Sequence, residues 1–208
     1  MLHVVDLDAA VHGTSLNQTC IAGIIRAAGI PVQVGGGMRD VGAVAAGLEA
    51  GAQRVIVGTA AVENPAFVRE ACRIFPGRIA VGIDARQGRV AVRGWTRTTE
   101  TSAGDLARQL EDAGVCALIF TDIQRDGMQT GPNIEETRKL AAAVSLPVIA
   151  SGGVGTLDHI RRLMELEAVG VAGVITGKAL YSGALRLEEA LALSRAPREG
   201  SGASAVRT

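Results

Sequence analysis

Aromatic residues are scarce in this chain: one Trp, one Tyr and three Phe make up 2% of its 208 residues. Stacking platforms for nucleic-acid bases are therefore not expected, and Trp95 stands out as a lone large ring that either packs in a core or meets a ligand. An excess of either charge is also missing. With 21 basic and 21 acidic residues the totals carry no signature of a nucleic-acid or membrane-surface binder, so neither partner is expected. Cysteine is limited to Cys20, Cys72 and Cys116, an odd number without close spacing, which indicates neither a disulfide framework nor a zinc site. All three are expected to pack as small apolar residues in a reducing compartment. No apolar run approaches ~18 residues, and Met1 leads straight into a strand rather than a charged region followed by a signal stretch. The expected location is the cytoplasm.

What is present is a large supply of core. Hydrophobic residues are 48% and charged residues 20% of the chain, so the bulk is globular. The length suits one large domain, slightly short of the ~250 residues typical of a single α/β barrel. Runs rich in Val and Ile read as seven strands at 3–6, 32–34, 54–57, 79–84, 117–122, 147–150 and 172–176. Helical patterns lie between them at 17–28, 41–50, 65–74, 103–113, 134–144 and 157–166, with a last one at 187–194. Strict alternation of this kind predicts parallel strands joined by right-handed crossovers. Asp40, Asn64-Pro65, Ser102, Pro132-Asn133 and Thr156 supply helix starts, and Gly29, Gly51, Gly77, Gly114 and Gly170 supply stops. The longest interruption, 85–101, reads as a small hairpin or loop over the strand ends. Residues 1–195 form the expected barrel domain, and 196–208, rich in Gly and Ser, a disordered tail.

An internal repeat sharpens this reading. Asp6 matches Asp122 and Gly36-Gly37 match Gly152-Gly153, both at an offset of 116, while Gly58-Thr59-Ala60 match Gly177-Lys178-Ala179 at 119. Two similar half-barrels follow. The strand ending at Asp84 lies 38 residues before Asp122, and its counterpart would fall before Met1. The expected fold is thus an α/β, (β/α)8 TIM barrel lacking its first βα unit, built as two half-barrel repeats.

Chemistry in such folds gathers at the C-terminal ends of strands. Four strand ends carry glycine turns in symmetric pairs: Gly35-Gly36-Gly37 with Gly58-Thr59, and Ser151-Gly152-Gly153 with Gly177-Lys178. Bare backbone N–H groups there suit phosphate, and two pairs suggest a ligand with two phosphates, although tight turns need glycine in any case. Between them, Asp84 ends a buried strand and is a candidate acid or base, with a turn cap or salt bridge as the alternative. Asp122 either joins Thr121 in the site or caps the next turn, and Asp126 is a turn residue that can face inward. Of Asp6 and Asp8, one is expected to face the barrel and the other to fix the loop. His3 reads as a hydrogen-bonded core histidine, and Arg39 as a ligand for a carboxamide or phosphate or else a surface ion pair.

Seven motifs in order resemble one family. His3-Val4-Val5-Asp6-Leu7-Asp8, Val34-Gly35-Gly36-Gly37-Met38-Arg39-Asp40, Gly58-Thr59-Ala60-Ala61-Val62-Glu63-Asn64-Pro65 and Gly94-Trp95 carry the first part. Thr121-Asp122-Ile123-Gln124-Arg125-Asp126-Gly127, Ser151-Gly152-Gly153-Val154 and Gly177-Lys178-Ala179-Leu180-Tyr181 carry the second. Together they resemble the phosphoribosylformimino-aminoimidazole carboxamide ribotide isomerases of histidine biosynthesis. The resemblance implies a barrel that performs an Amadori rearrangement on a substrate phosphorylated at both ends, without metal or organic cofactor. It implies Asp84 as acid, Thr121 as an assisting group, Asp126 as an alternative acid and Trp95 as a lid residue on the substrate. The family's first-strand aspartate, its base, has no counterpart here, so an N-terminally shortened copy is expected. Full-length members are monomeric, whereas open barrel edges predict self-association of this chain. The competing expectations are the related cyclase, a dual-substrate isomerase also acting on phosphoribosylanthranilate, and a non-catalytic phosphate-binding remnant.

Overall fold

The computed structural model describes residues 1–196; positions 197–208 of the expected tail lie outside the described residues. The first half runs β1 (Leu2–Val5), α1 (Leu7–His12), α2 (Gln18–Ala27), β2 (Val32–Gly35), α3 (Val41–Glu49), β3 (Arg54–Val57), α4 (Thr59–Glu63) and α5 (Pro65–Ile74). The second opens with β4 (Ile79–Arg86), the hairpin strands β5 (Arg89–Val92) and β6 (Arg97–Ser102), and α6 (Ala103–Leu110). It continues through β7 (Ala117–Asp122), α7 (Ile134–Ala142), β8 (Val148–Ser151), α8 (Leu157–Met164), β9 (Val171–Val174), α9 (Lys178–Tyr181) and α10 (Leu187–Arg195).

Seven of these strands are parallel neighbours in the order β1-β2-β3-β4-β7-β8-β9, and β5 and β6 extend β4 as an antiparallel flap. Among the described residues β1 pairs only with β2 and β9 only with β8. The sheet is curled, because inward residues of β1 (His3, Val5), β4 (Gly82, Asp84) and β7 (Ile119, Thr121) line the same cavity.

Side chains alternate as strand geometry demands. On β4, Ile79, Val81 and Ile83 point outward and are fully buried under the helices, whereas Ala80, Gly82 and Asp84 point into the barrel. The helices meet that outer face with stripes at helical spacing: Phe67, Val68 and Ala71 on α5, Leu106 and Leu110 on α6, Ile160 and Leu163 on α8. Each of these side chains larger than Ala71 contributes roughly 1.5–3 kcal/mol by leaving water. Inside, Ile56, Ala80, Ala117 and Ile119 form a second, smaller cluster that floors the cavity.

The expected starts hold. Asp40, Asn64, Ser102, Asn133 and Thr156 each accept a backbone N–H with the side chain, at 2.8 to 3.3 Å, which satisfies a donor that the first turn leaves free. The five glycines expected to end helices all take positive φ, from 60° to 106°. Three short helices, α1, α4 and α9, were not expected, since four to six residues are too few to display a 3.6-residue period. Cys20 corrects another expectation: it is exposed on α2, while Cys72 is buried and Cys116 half-buried. Helix α2 has no fully buried residue, so its outer positions face water.

Candidate active site

The cavity occupies about 450 Å³ at the C-terminal ends of the strands, a size suited to a small-molecule ligand. Of the candidates named from the sequence, Gly36, Gly37, Arg39, Gly58, Thr59, Asp84, Trp95, Thr121, Asp126, Ser151, Gly152, Gly153, Gly177 and Lys178 line it, and Asp6, Asp8 and Asp122 do not. Residues from six strand ends therefore converge although more than 140 positions separate the first from the last.

Asp84 sits at the centre. Strand pairing sets it opposite Thr121 on the same rung, both on the inward phase, and the two side chains are hydrogen-bonded. Trp95 Nε1 donates to Asp84 Oδ2 at 2.7 Å from the flap. Burial pushes the Asp84 carboxyl above the ordinary range; the Trp95 and Thr121 hydrogen bonds work against this, and nearby Asp126 adds to it. Asp126 is itself raised by burial. Two carboxyls with a shared tendency to hold a proton beside a hydroxyl can perform acid–base work on a ligand between them.

The flap reaches the other half of the molecule. Arg93 N donates to Thr59 Oγ1 at 2.8 Å, and Glu63 pairs with Arg93 at 3.0 Å and Arg97 at 3.3 Å. Arg93, Gly94 and Trp95 turn with φ of 55°, 60° and 68°, which bends the hairpin tip down toward Asp84. Trp95 is 39% exposed, so the core alternative for it is set aside.

Asp6 and Asp122 do not face the cavity. Asp6 Oδ1 accepts from Ala9 N at 3.0 Å and Asn17 Nδ2 at 2.9 Å, while Oδ2 accepts from Ser15 Oγ at 2.6 Å. Burial alone would raise this carboxyl, but those hydrogen bonds outweigh it and hold it below the usual range. Asp122 repeats the device: Oδ2 accepts from Asn133 Nδ2 at 2.7 Å and Oδ1 from Gln124 N at 3.0 Å. Asp8 is exposed and bonds Asn17 at 2.8 Å. The expectation that one of Asp6 and Asp8 faces the barrel is thereby corrected: Asp6 caps and ties the loop, and Asp8 braces it from outside. Asp122 follows the capping alternative. Asn133 was expected only as a helix cap and Asn17 only as the start of a helical pattern; their bonds to Asp122 and Asp6 were not read, although both asparagines lie 11 residues after their aspartates.

The glycines divide into two kinds. Gly36 and Gly152, at φ 96° and 94°, pass so close to the Asp6 and Asp122 backbones that a Cβ on Gly36 would overlap the Asp6 carbonyl and one on Gly152 would stand 2.7 Å from that of Asp122. The fold itself requires glycine there. At Gly58 and Gly177 φ/ψ are −105°/−105° and −126°/−82°, outside the helical and extended regions, and a Cβ would meet nothing within 4 Å. No contact in the protein demands glycine at those two positions, and both border the cavity. Each opens a one-turn helix whose first N–H groups have no partner within the helix. Among the described residues no cluster of three His, Cys, Asp or Glu is placed to hold a metal ion.

A family profile described as "Histidine biosynthesis protein" matches residues 1–186. A relative from Pelobacter propionicus is 59% identical over 194 residues, covering 93% of this chain and 79% of its own. One from Syntrophotalea carbinolica is 58% identical over 195 residues, covering 94% and 80%, and one from Geotalea uraniireducens 56% over 200, covering 96% and 82%. All three are named 1-(5-phosphoribosyl)-5-((5-phosphoribosylamino)methylideneamino)imidazole-4-carboxamide isomerase. The cavity at the strand ends, with Asp84 between two pairs of glycine turns, is the site of a member of the histidine biosynthesis protein family, to which this chain belongs.

Proposed function

We propose that this chain isomerises the aminoaldose of its relatives' substrate to the aminoketose, an Amadori rearrangement in histidine biosynthesis. The observation that carries the reading is the pair Gly58 and Gly177: at both ends of the cavity a Cβ would meet no protein atom, leaving room for ligand phosphates against bare N–H groups. Gly36-Gly37 and Ser151-Gly152-Gly153 complete the two anion sites, and Lys178 adds a positive charge to one of them while Arg39 faces the other. The Thr59 hydroxyl accepts from the flap's Arg93 N–H, which leaves its own O–H and the Thr59 N–H to donate to a phosphate.

In the chemistry, the sugar ring opens when its ring oxygen takes a proton from Asp84; the carboxylate this leaves, or that of Asp126 beside it, takes the proton from C2, and the resulting enol collapses to the ketose. Asp84 supplies the proton, because a carboxyl raised by burial retains it at higher pH than an ordinary aspartate. Thr121 holds that carboxyl from the same rung, and Asp126 is the second proton-holding group. Trp95 covers the ligand from the flap. The presence of Asp84, Thr121 and Asp126 beside both anion sites favours this reading over a remnant that only binds phosphate. A cytoplasmic location fits three free cysteines and the finding that no helix among the described residues is long and apolar enough to cross a membrane. The single-neighbour strands β1 and β9 support self-association, which light scattering reads.

The test is a steady-state isomerase assay on the chain and on Asp84→Asn, with thermal stability measured with and without the bisphosphorylated substrate. Turnover abolished by the substitution is the expected result. A ligand-dependent rise in Tm with no turnover in either protein would instead establish a binding remnant. Turnover of phosphoribosylanthranilate in parallel separates the dual-substrate alternative.

A further inference from the structure

One polar row in the barrel plays no part in the chemistry described so far. Strand pairing sets His3, Gln33 and, one strand further, Arg54 on successive inward positions of β1, β2 and β3. Arg54 Nε donates to Gln33 Oε1 at 2.6 Å, and Gln33 Nε2 lies 2.7 Å from His3 Nδ1. The donors and acceptors of this row admit one arrangement. Arginine only donates, so the Gln33 oxygen must face Arg54; that turns the amide NH2 toward His3; an amide nitrogen does not accept, so Nδ1 must carry a lone pair. The proton of the neutral ring is left on Nε2. A doubly protonated ring would press two donors together at 2.7 Å.

We propose that Arg54 and Gln33 are positioning residues that hold His3 as a neutral ring protonated on Nε2, and that this N–H donates to an uncharged acceptor of the ligand bound between the two glycine turns. His3 lines the cavity, and among the described residues Nε2 has no hydrogen-bond partner. The ligand half of the proposal rests on the isomerase reading above; the ring's protonation does not. Burial, and then the charge of Arg54, lower the ring's pKa from 6.5 to about 4, in agreement with the geometry. The corresponding positions in the second half are Ile119, Ile149 and Gly173, at the repeat's own offsets of 116 and 119, and they are apolar. A row needed only to fill the barrel would have no reason to differ in this way, since hydrophobic residues do the same filling across the cavity. The row is what makes the two ends of the cavity chemically unlike.

Nitrogen NMR on the full chain labelled in histidine tests the first half without substrate. His3→Asn assigns the His3 signals against those of His12 and His159. The expected spectrum shows Nδ1 bare and Nε2 protonated, with no titration between about pH 5.5 and 8. A proton on Nδ1, two exchanging tautomers, or titration near 6.5 overturns the relay. Gln33→Glu keeps size while replacing the donor facing Nδ1 with an acceptor, so the proton is expected to move to Nδ1. Should that variant fail to fold, Arg54→Met, which frees the Gln33 amide to turn over, is expected to give a mixture of tautomers. With the relatives' imidazole carboxamide substrate added, the Nε2 proton signal is expected to shift, and Gln33→Glu to raise KM about tenfold with a smaller change in kcat. Substrate that raises Tm yet leaves that signal unmoved overturns the donor role. Substrate that neither raises Tm nor shifts any signal overturns the isomerase reading and the donor role together, leaving the tautomer result standing.

Discussion

Asn17 reaches Asp6 at 2.9 Å in the first half of the sheet, and Asn133 reaches Asp122 at 2.7 Å in the second, across the same span of 11 residues. Gly36 presses on the Asp6 backbone as Gly152 does on that of Asp122, and Gly58 and Gly177 stand equally free at the opposite rims. The frames are one design used twice. Their contents differ: at inward strand positions the first half carries His3, Gln33 and Arg54, where the second carries Ile119, Ile149 and Gly173, with Thr121 and Ser151 above them. The comparison teaches that rim residues are duplicated because closing a strand-to-helix turn is the same mechanical problem in both halves. Lumen residues are free to diverge because no such closure constrains them, and on the proposed function the middle of the ligand needs chemistry unlike that of its two ends.

Asp84→Asn attacks that divergence most strongly. Loss of a general acid is expected to lower kcat/KM by ~10²–10⁴. Stability should move the other way. Because the folded-state pKa of Asp84 is raised, its favourable contribution is complete below the unfolded value of ~3.9 and lost as pH rises through the folded value. At neutral pH the Asn variant is therefore expected to match or exceed the parent in Tm, which calorimetry across pH checks.

The duplicated rims are probed by Gly36→Ala and Gly152→Ala. Both force a side chain into positive φ and against a carbonyl, at a cost of about 2–4 kcal/mol, with the Gly36 variant the worse because its contact is closer. Equal losses in urea titrations would mean the turns relax. Asp6→Asn is expected to cost about 1–3 kcal/mol near neutral pH by removing charge-assisted hydrogen bonds. Since Asp6 has a lowered pKa, its contribution is present above the unfolded value and lost as pH falls through the folded one, so the difference from the parent should vanish in acid. His3 follows the rule for a depressed base: its neutral form is favoured in the fold, and up to about 3 kcal/mol is lost as pH falls from 6.5 toward about 4. His3→Gln should flatten that part of the stability profile. A smaller stability effect is expected for Gly58→Ala and Gly177→Ala, about 1–2 kcal/mol from the backbone alone since no atom meets the added Cβ, accompanied by at least tenfold weaker binding of the bisphosphorylated substrate. A large stability loss there would mean that the fold, and not the ligand, keeps those glycines.

Legibility followed the range of the physics. Strand runs such as Ile79 to Asp84 and the caps at Asp40 and Ser102 rest on neighbours within a few positions, and the structure bears them out. The short helices α1, α4 and α9 escaped notice because one turn has no period to detect. Asp122 was ambiguous for a different reason. Within β7 it shares its phase with Leu118 and Phe120, which points it outward, yet a strand-end residue is released from that alternation as soon as the chain turns.

The sequence by itself determined the parallel α/β architecture, the two-fold repeat and the set of residues that meet at the strand ends, since period, punctuation and internal offset are properties of the order of residues alone. Tertiary structure decided which aspartates brace loops and which face the cavity, and which glycines the fold requires. It also decided that His3, Gln33 and Arg54, 30 and 21 positions apart, act as one hydrogen-bonded row. Those outcomes depend on strand register and on the approach of distant backbones. Both are settled only when the sheet curls and brings remote residues within hydrogen-bonding distance.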